Sequence, residues 1–231
     1  MGIKERQDRE RSAVREGILH AARELFVTEG YRTVSMRKIA ERIEYSPAAI
    51  YGYFASKDEI FYALAEEGFR MMRDASRDAA VDAGDPLAAL RSTFWAYYRF
   101  AKEQPQYFEL MFVDRSVPEI TDPERFTALI EMWQAVHERI ERCVQAGVFP
   151  AALDVTAAFH ILWASLHGAA TLHLCQRLGP GESPDLLAAD TLDVAIAGLR
   201  AGVKTTFVAS PCHDIAATVA ALASPGVPDH A

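Results

Sequence analysis

The sequence predicts an all-α protein, a small three-helix head followed by a larger helical body. Three observations carry this. Apolar residues recur at three- and four-residue spacing along most of the chain. Caps and breakers fall at the ends of those stretches. No stretch alternates apolar and polar residues as a half-buried strand would, and no internal repeat is present.

The elements follow in order. Residues 8–29 put Val14, Ile18, Ala22, Leu25 and Phe26 on one stripe, and Gly30 stops the helix. Ser35 is an N-cap for a short second helix carrying Met36, Ile39, Ala40 and Ile43. Ser46 caps a third, with Pro47 at its first position, where the missing N–H costs nothing. "SKDE" at 56–59 reads as a capping box opening a long fourth helix to about residue 82. After "AGDP", a fifth helix carries Leu87, Leu90, Phe94, Tyr97, Tyr98 and Ala101. Pro105 interrupts it, and "QYFELMF" forms a short helix beyond, followed by a connector at 114–123. Residues 124–146 show the regular spacing of Phe126, Leu129, Ile130, Trp133, Val136, Ile140 and Val144. Residues 153–178 are apolar nearly all round, as in a helix buried on several sides. "GPGESP" is a turn, and a last long helix covers about 185–207. The tail adds a short helix near 213–223. This gives a domain at 1–55, a second at 56–208 and a tail at 209–231.

Charge is divided unevenly. The net charge is -8, but residues 1–55 hold 10 Lys/Arg against 8 Asp/Glu, hence +2, and the remainder is -10. Only the head has a basic excess, and it is compatible with nucleic-acid binding there. Cys143, Cys175 and Cys212 are odd in number and widely spaced, so neither a disulfide framework nor a Cys-x-x-Cys metal pair is expected. The N-terminus lacks an apolar signal region, and Arg6 stands where a myristoylation motif needs Ser or Thr. His160, His167 and His173 interrupt the most apolar stretch, which reads as a buried helix rather than a membrane span. The expected location is the cytoplasm of a prokaryotic cell.

The second and third helices, joined by a tight turn, make a helix-turn-helix. Ile39, Ala40 and Ile43 meet Ile50 and Phe54, and the start of the third helix is left to face a major groove. Ala48 and Ala49 permit close approach to bases, and Tyr51 lies one turn further. Ser35 and Lys57 stand at helix N-termini that suit phosphate, and Arg37 and Lys38 add charge. Tyr45, Ser46, Pro47 and Tyr53 flank the same edge. Periodicity alone also admits a plain helical hairpin with a solvated face.

The stretch "LFVTEGYRTVSMRKIAERIEYSPAAIYGYFASKDEIFYAL" resembles the DNA-binding domain of the tetracycline-repressor (TetR) family over roughly residues 12–64. The resemblance rests on Phe26, Gly30, Tyr31, Thr33, Ser35, Ile39-Ala40, Ser46, Ile50-Tyr51, Tyr53-Phe54 and Lys57. It departs from the family pattern at Pro47, Ala49 and Gly52, where members often carry Lys, Arg or Gly, then Thr, then His. Few base-edge donors remain, so specificity would rest on methyl contacts, water and DNA shape. "LWASLHGAATL" is similar to the Trp-His-Gly signature of one C-terminal class of the family.

The resemblance implies a homodimer that binds double-stranded operator DNA, with a C-terminal domain that binds an effector and dimerises. On a helical wheel of 153–178, Thr156, His160, Trp163, His167, Thr171 and Leu174 share one face. Ala158, Leu162, Ser165 and Ala169 share the other. The first suits a small-molecule site and the second a dimer seam with 185–207. Trp95, Tyr98, Phe108, Met111, Phe112 and Trp133 are further lining candidates; the same residues also read as plain core. The expectation is a ligand-released repressor. An activator or a corepressor-dependent DNA binder is the alternative. No nucleophile–base spacing, phosphate loop or metal cluster points to an enzyme, a metal or a cofactor.

Overall fold

A computed structural model describes residues 2–79, 84–120 and 125–207. The helices are α1 Ile3–Glu29, α2 Met36–Arg42, α3 Pro47–Tyr51, α4 Lys57–Ala79, α5 Pro86–Glu103, α6 Pro105–Phe108, α7 Thr127–Gln145, α8 Val155–Leu174 and α9 Pro184–Arg200. A single π-helical turn, Glu109–Val113, continues α6. No strand occurs among the described residues. The expected end of α4 near 82, the helix near 213–223, Cys212 and the tail at 209–231 lie outside the described residues.

The chain divides into two compact units. The first takes 1–68 and 104–121, and the second takes 69–103 and 122–231. The first thus includes the start of α4 and the α6 turn as well as α1–α3. Its core is Ile18, Ala22, Phe26, Ile39, Ala40, Ile50, Ile60 and Phe61, all buried. The second is built from α5, α7, α8 and α9, with α8 packed on the other three. Leu90, Tyr98, Ile140, Cys143, Leu162 and Leu166 are buried in it. By length and composition α8 could cross a membrane.

The caps follow the sequence closely. Ser35 Oγ accepts from Lys38 N–H, Ser46 Oγ from Ala49 N–H and Ser56 Oγ from Glu59 N–H. Three expectations need correction. Helix α1 begins at Ile3, not near residue 8, with Glu5 accepting from the Gly2 N–H at 3.1 Å. Helix α9 ends at Arg200 and not near 207. Gly202, at φ 69°, turns the chain there. Its N–H goes to Leu199 O and that of Val203 to Gly198 O, a Schellman stop. The small face of α8 is the third. Ala158, Leu162 and Ala169 are buried inside the second unit and Ser165 is half-buried, so this face packs within the chain rather than standing open for a seam. The face left open carries Ala164, Gly168 and Leu172. Alanine on both faces made the two indistinguishable by size.

Candidate nucleic-acid interface and aromatic site

The reading edge is built from the turn outward. Helix α2 stops when Glu44 takes φ 61°, letting Tyr45 N–H reach Ala40 O at 2.9 Å. That turn swings the chain into Ser46, and Ser46 and Pro47 start α3. Ile50 is fully buried and Phe54 nearly so, which fixes α3 from behind. Pro47 and Ala48 are exposed, Ala49 half-buried, and Tyr51 is 56% exposed. Tyr45 is exposed as well.

The neighbouring charges are partly engaged. Arg37 Nε donates to Glu41 at 2.8 Å, and Lys38 pairs with Glu29. Both are surface pairs of small net worth, open to exchange for a phosphate. Lys57 is different. Its Nζ donates to Tyr31 O at 2.7 Å and Val34 O at 3.0 Å. The Tyr31 hydroxyl in turn donates to Asp58, and burial, then that bond, pushes its pKa up. Lys57 thus staples the start of α4 to the loop before α2, and its side chain is occupied.

Two arginines were missed by the sequence reading. Arg11 lies over the Tyr53 ring at 5.6 Å, and Arg15 over Phe54 at 5.1 Å. Gln7, Arg11, Tyr45 and Tyr53 line one groove beside α3. The i, i+4 spacing of the arginines was visible, but nothing in it said that α1 runs past α3.

The ligand candidates fall in both units and are taken separately. Phe108, Met111 and Phe112 belong to the first. Phe108 and Met111 are buried there, and Phe112 lies against Phe108 at 5.1 Å. In the second, Tyr98 is buried and its hydroxyl donates to Asp185 at 2.8 Å. Trp95 touches Tyr98 and lines an open groove of about 480 Å³ with Arg91, Arg99 and Leu192.

The other five, Trp133, His160, Trp163, His167 and Thr171, lie on α7 and α8. Phe159 is the hub of an aromatic cluster there. It stacks on Trp163 at 6.0 Å and meets Trp133 at 6.4 Å, His137 at 5.1 Å and His160 at 5.1 Å. Trp163 reaches His167 at 5.8 Å, and Phe207 closes on His160 at 5.0 Å.

Hydrogen bonds fix the proton positions. His137 Nδ1 and His160 Nδ1 lie 2.9 and 2.8 Å from the carbonyls of Trp133 and Thr156, which can only accept. Each Nδ1 therefore carries a proton, and the Nε2 of neutral His137 is an acceptor. Tyr97 accepts from the Trp163 indole N–H, and we assign its own proton to His167 Nδ1 at 2.8 Å. Burial pushes the Tyr97 phenol up and holds His137 and His167 below the ordinary imidazole value. His137 Nε2 and Thr171 Oγ1 are buried with no partner. His137 was also missed by the sequence reading; its place one turn after Trp133 was the available signal. Among the described residues no group of three His, Cys, Asp or Glu side chains could hold a metal.

A braced short helix after a tight turn, in an all-α chain, defines a helix-turn-helix transcription regulator. The chain belongs to the TetR family. The family model "Bacterial regulatory proteins, tetR family" matches residues 18–64, and "Tetracyclin repressor-like, C-terminal domain" matches 90–195. The solved TetR family transcriptional regulator PfmR from Thermus thermophilus is 27% identical with a TM-score of 0.61, over 79% of this chain and 98% of that one. The transcriptional repressor AcnR of Corynebacterium glutamicum is 27% identical over 80% of this chain and 92% of its own. The transcriptional activator FasR of Mycolicibacterium smegmatis is 30% identical over 44% of this chain and 47% of its own. The chain spans about half the length of FasR and of other curated relatives it matches.

Proposed function

We propose that this regulator is a repressor that binds operator DNA as a homodimer and is released by a small, largely apolar effector. The observation that carries the DNA-binding part is the contrast along α3. Ile50 is fully buried while Tyr51, the next residue, is 56% exposed. An edge held this rigidly, with small residues at its start, suits a major groove. The operator contacts would come from Ser35, Arg37, Lys38, Tyr45, Ser46, Pro47, Ala48, Ala49, Tyr51 and Tyr53, with Lys57 contributing its backbone at a helix start. Repression is the first reading because AcnR, matched over most of its length, is named a repressor. Activation is the second, on the FasR similarity.

For the dimer, α8 leaves Ala164, Gly168 and Leu172 open and α9 leaves Leu186 and Val194 open, the last 73% exposed. A two-fold contact would cover such a face. Effector binding is read at the Phe159 cluster, and the "LWASLHG" stretch, which contributes Trp163 and His167 to it, is the part similar to the Trp-His-Gly class. Release requires the effector to favour the DNA-incompetent form; equal affinity for both forms does nothing.

The test is binding to DNA flanking the protein's own gene across a salt series. Salt-sensitive binding, lost in Tyr51→Ala with the thermal midpoint unchanged, is expected. Binding that Tyr51→Ala leaves intact would remove α3 as the reading helix. Val194→Glu should give monomers in sedimentation and weaken operator binding.

A further inference from the structure

We propose that the Phe159 cluster takes an uncharged planar aromatic molecule that presents an O–H or N–H donor to His137 Nε2. This rests on the reading of that cluster as the effector site.

The tautomer sets the requirement. Because Nδ1–H of His137 goes to Trp133 O, Nε2 carries a bare lone pair. That atom is buried and has no partner. A buried acceptor stripped of water gains only from a donor. Protonation is the other escape, and burial opposes it. Thr171 Oγ1 repeats the pattern. A helical threonine often bonds the carbonyl one turn back, yet this hydroxyl is buried without a partner. It can give or take a second hydrogen bond.

The walls set the shape. Phe159 and Trp163 lie nearly parallel, 15° apart, and Trp133 meets Phe159 at 62°. Phe159 is buried at the centre, and the half-buried Trp133 and Trp163 rings would offer faces and edges to a flat aromatic partner. The polar groups named here are neutral, since the Tyr97 and Trp163 protons are held within the chain and His167 is kept uncharged by burial. A carboxylate would find no cation among them. The groove at Trp95, with Arg91 and Arg99, is where an anionic ligand would go instead. Arg91 already pairs there with Asp193.

Three probes of one scaffold test this on the full-length protein: 2-naphthol, 2-methoxynaphthalene and 2-naphthoate. Calorimetry and thermal shift read binding. The naphthol should bind about tenfold or more tighter than its methyl ether, as for sites built around a hydrogen bond. That preference should vanish in His137→Leu and persist in His137→Gln, which keeps an acceptor. The wild-type comparison does not depend on either variant folding. Equal affinity for naphthol and ether, naphthoate binding that is lost in His137→Leu, or no binding of any probe would overturn the proposal. If the methyl ether binds and releases the protein from operator DNA as well as naphthol does, the effector reading stands and this one falls. If DNA binding answers to none of the probes and none binds, the effector reading loses its support as well.

Discussion

The Lys57 ammonium sits 4.1 Å from the centre of the Tyr31 ring and donates to the Tyr31 carbonyl at 2.7 Å. One side chain thus serves as cation over an aromatic face and as cap for a loop. Lys57→Met keeps the stem and leaves two part-buried carbonyls unpaired. The expected loss is about 1–3 kcal/mol of stability. Chemical denaturation of the variant checks this. Because the ammonium is engaged within the protein, the salt dependence of operator binding should keep its slope.

Glu44 holds φ 61° at the turn between α2 and α3, a conformation that suits glycine. Glu44→Gly should therefore stabilise the protein by roughly 0.5–1 kcal/mol, the left-handed strain relieved less glycine's chain entropy. Glu44→Gln is the control, since it removes the charge and keeps the backbone demand. Equal midpoints for Gly and Gln would mean that the turn stores no strain.

Arg11 lies over Tyr53 beside the reading helix. If it meets a phosphate when DNA is bound, Arg11→Ala should weaken binding to all sequences about equally. It should also lower the slope of log K against log salt by about 1. A slope unchanged from wild type would leave Arg11 as a packing residue on Tyr53.

These cases show what was legible and why. The caps at Ser35, Ser46 and Ser56 are local, three residues from donor to acceptor, and could be read directly. So could the bracing of Ile50 and Phe54, which periodicity places on one side. Arg11 against Tyr53 joins residues over forty apart, and only the path of α1 brings them together. The two α8 faces failed for another reason. Ala158 and Ala164 are the same residue, and what covers each is decided by where α5, α7 and α9 pack. Gln176, at φ 52°, ends α8 without any glycine to announce it. His137 hides in the same way, since a histidine on an apolar stripe looks alike whether its second nitrogen is satisfied or bare.

The histidines give a pH dependence whose sign can be worked out. Burial, the largest influence, holds His137 and His167 below the unfolded imidazole value of about 6.5. For His137 the Trp133 carbonyl, Glu141 and Asp154 pull upward and His160 pulls down, and the net shift is downward. Above the unfolded value neither state binds a proton there, so stability is unaffected. As pH falls through it, the unfolded chain takes up protons that the native state refuses. More protons on the unfolded side means stability rises with pH and falls on acidification. The thermal midpoint should therefore drop as pH goes below about 6.5, before carboxylates titrate near 4. Asp185, held low by Lys102 and Tyr98, adds its own loss only in that lower window. His137→Gln and His167→Gln should each flatten the upper step and leave the lower one in place. A midpoint that stays level between pH 7 and 5, or a step that survives both substitutions, would place these imidazoles where they can charge freely.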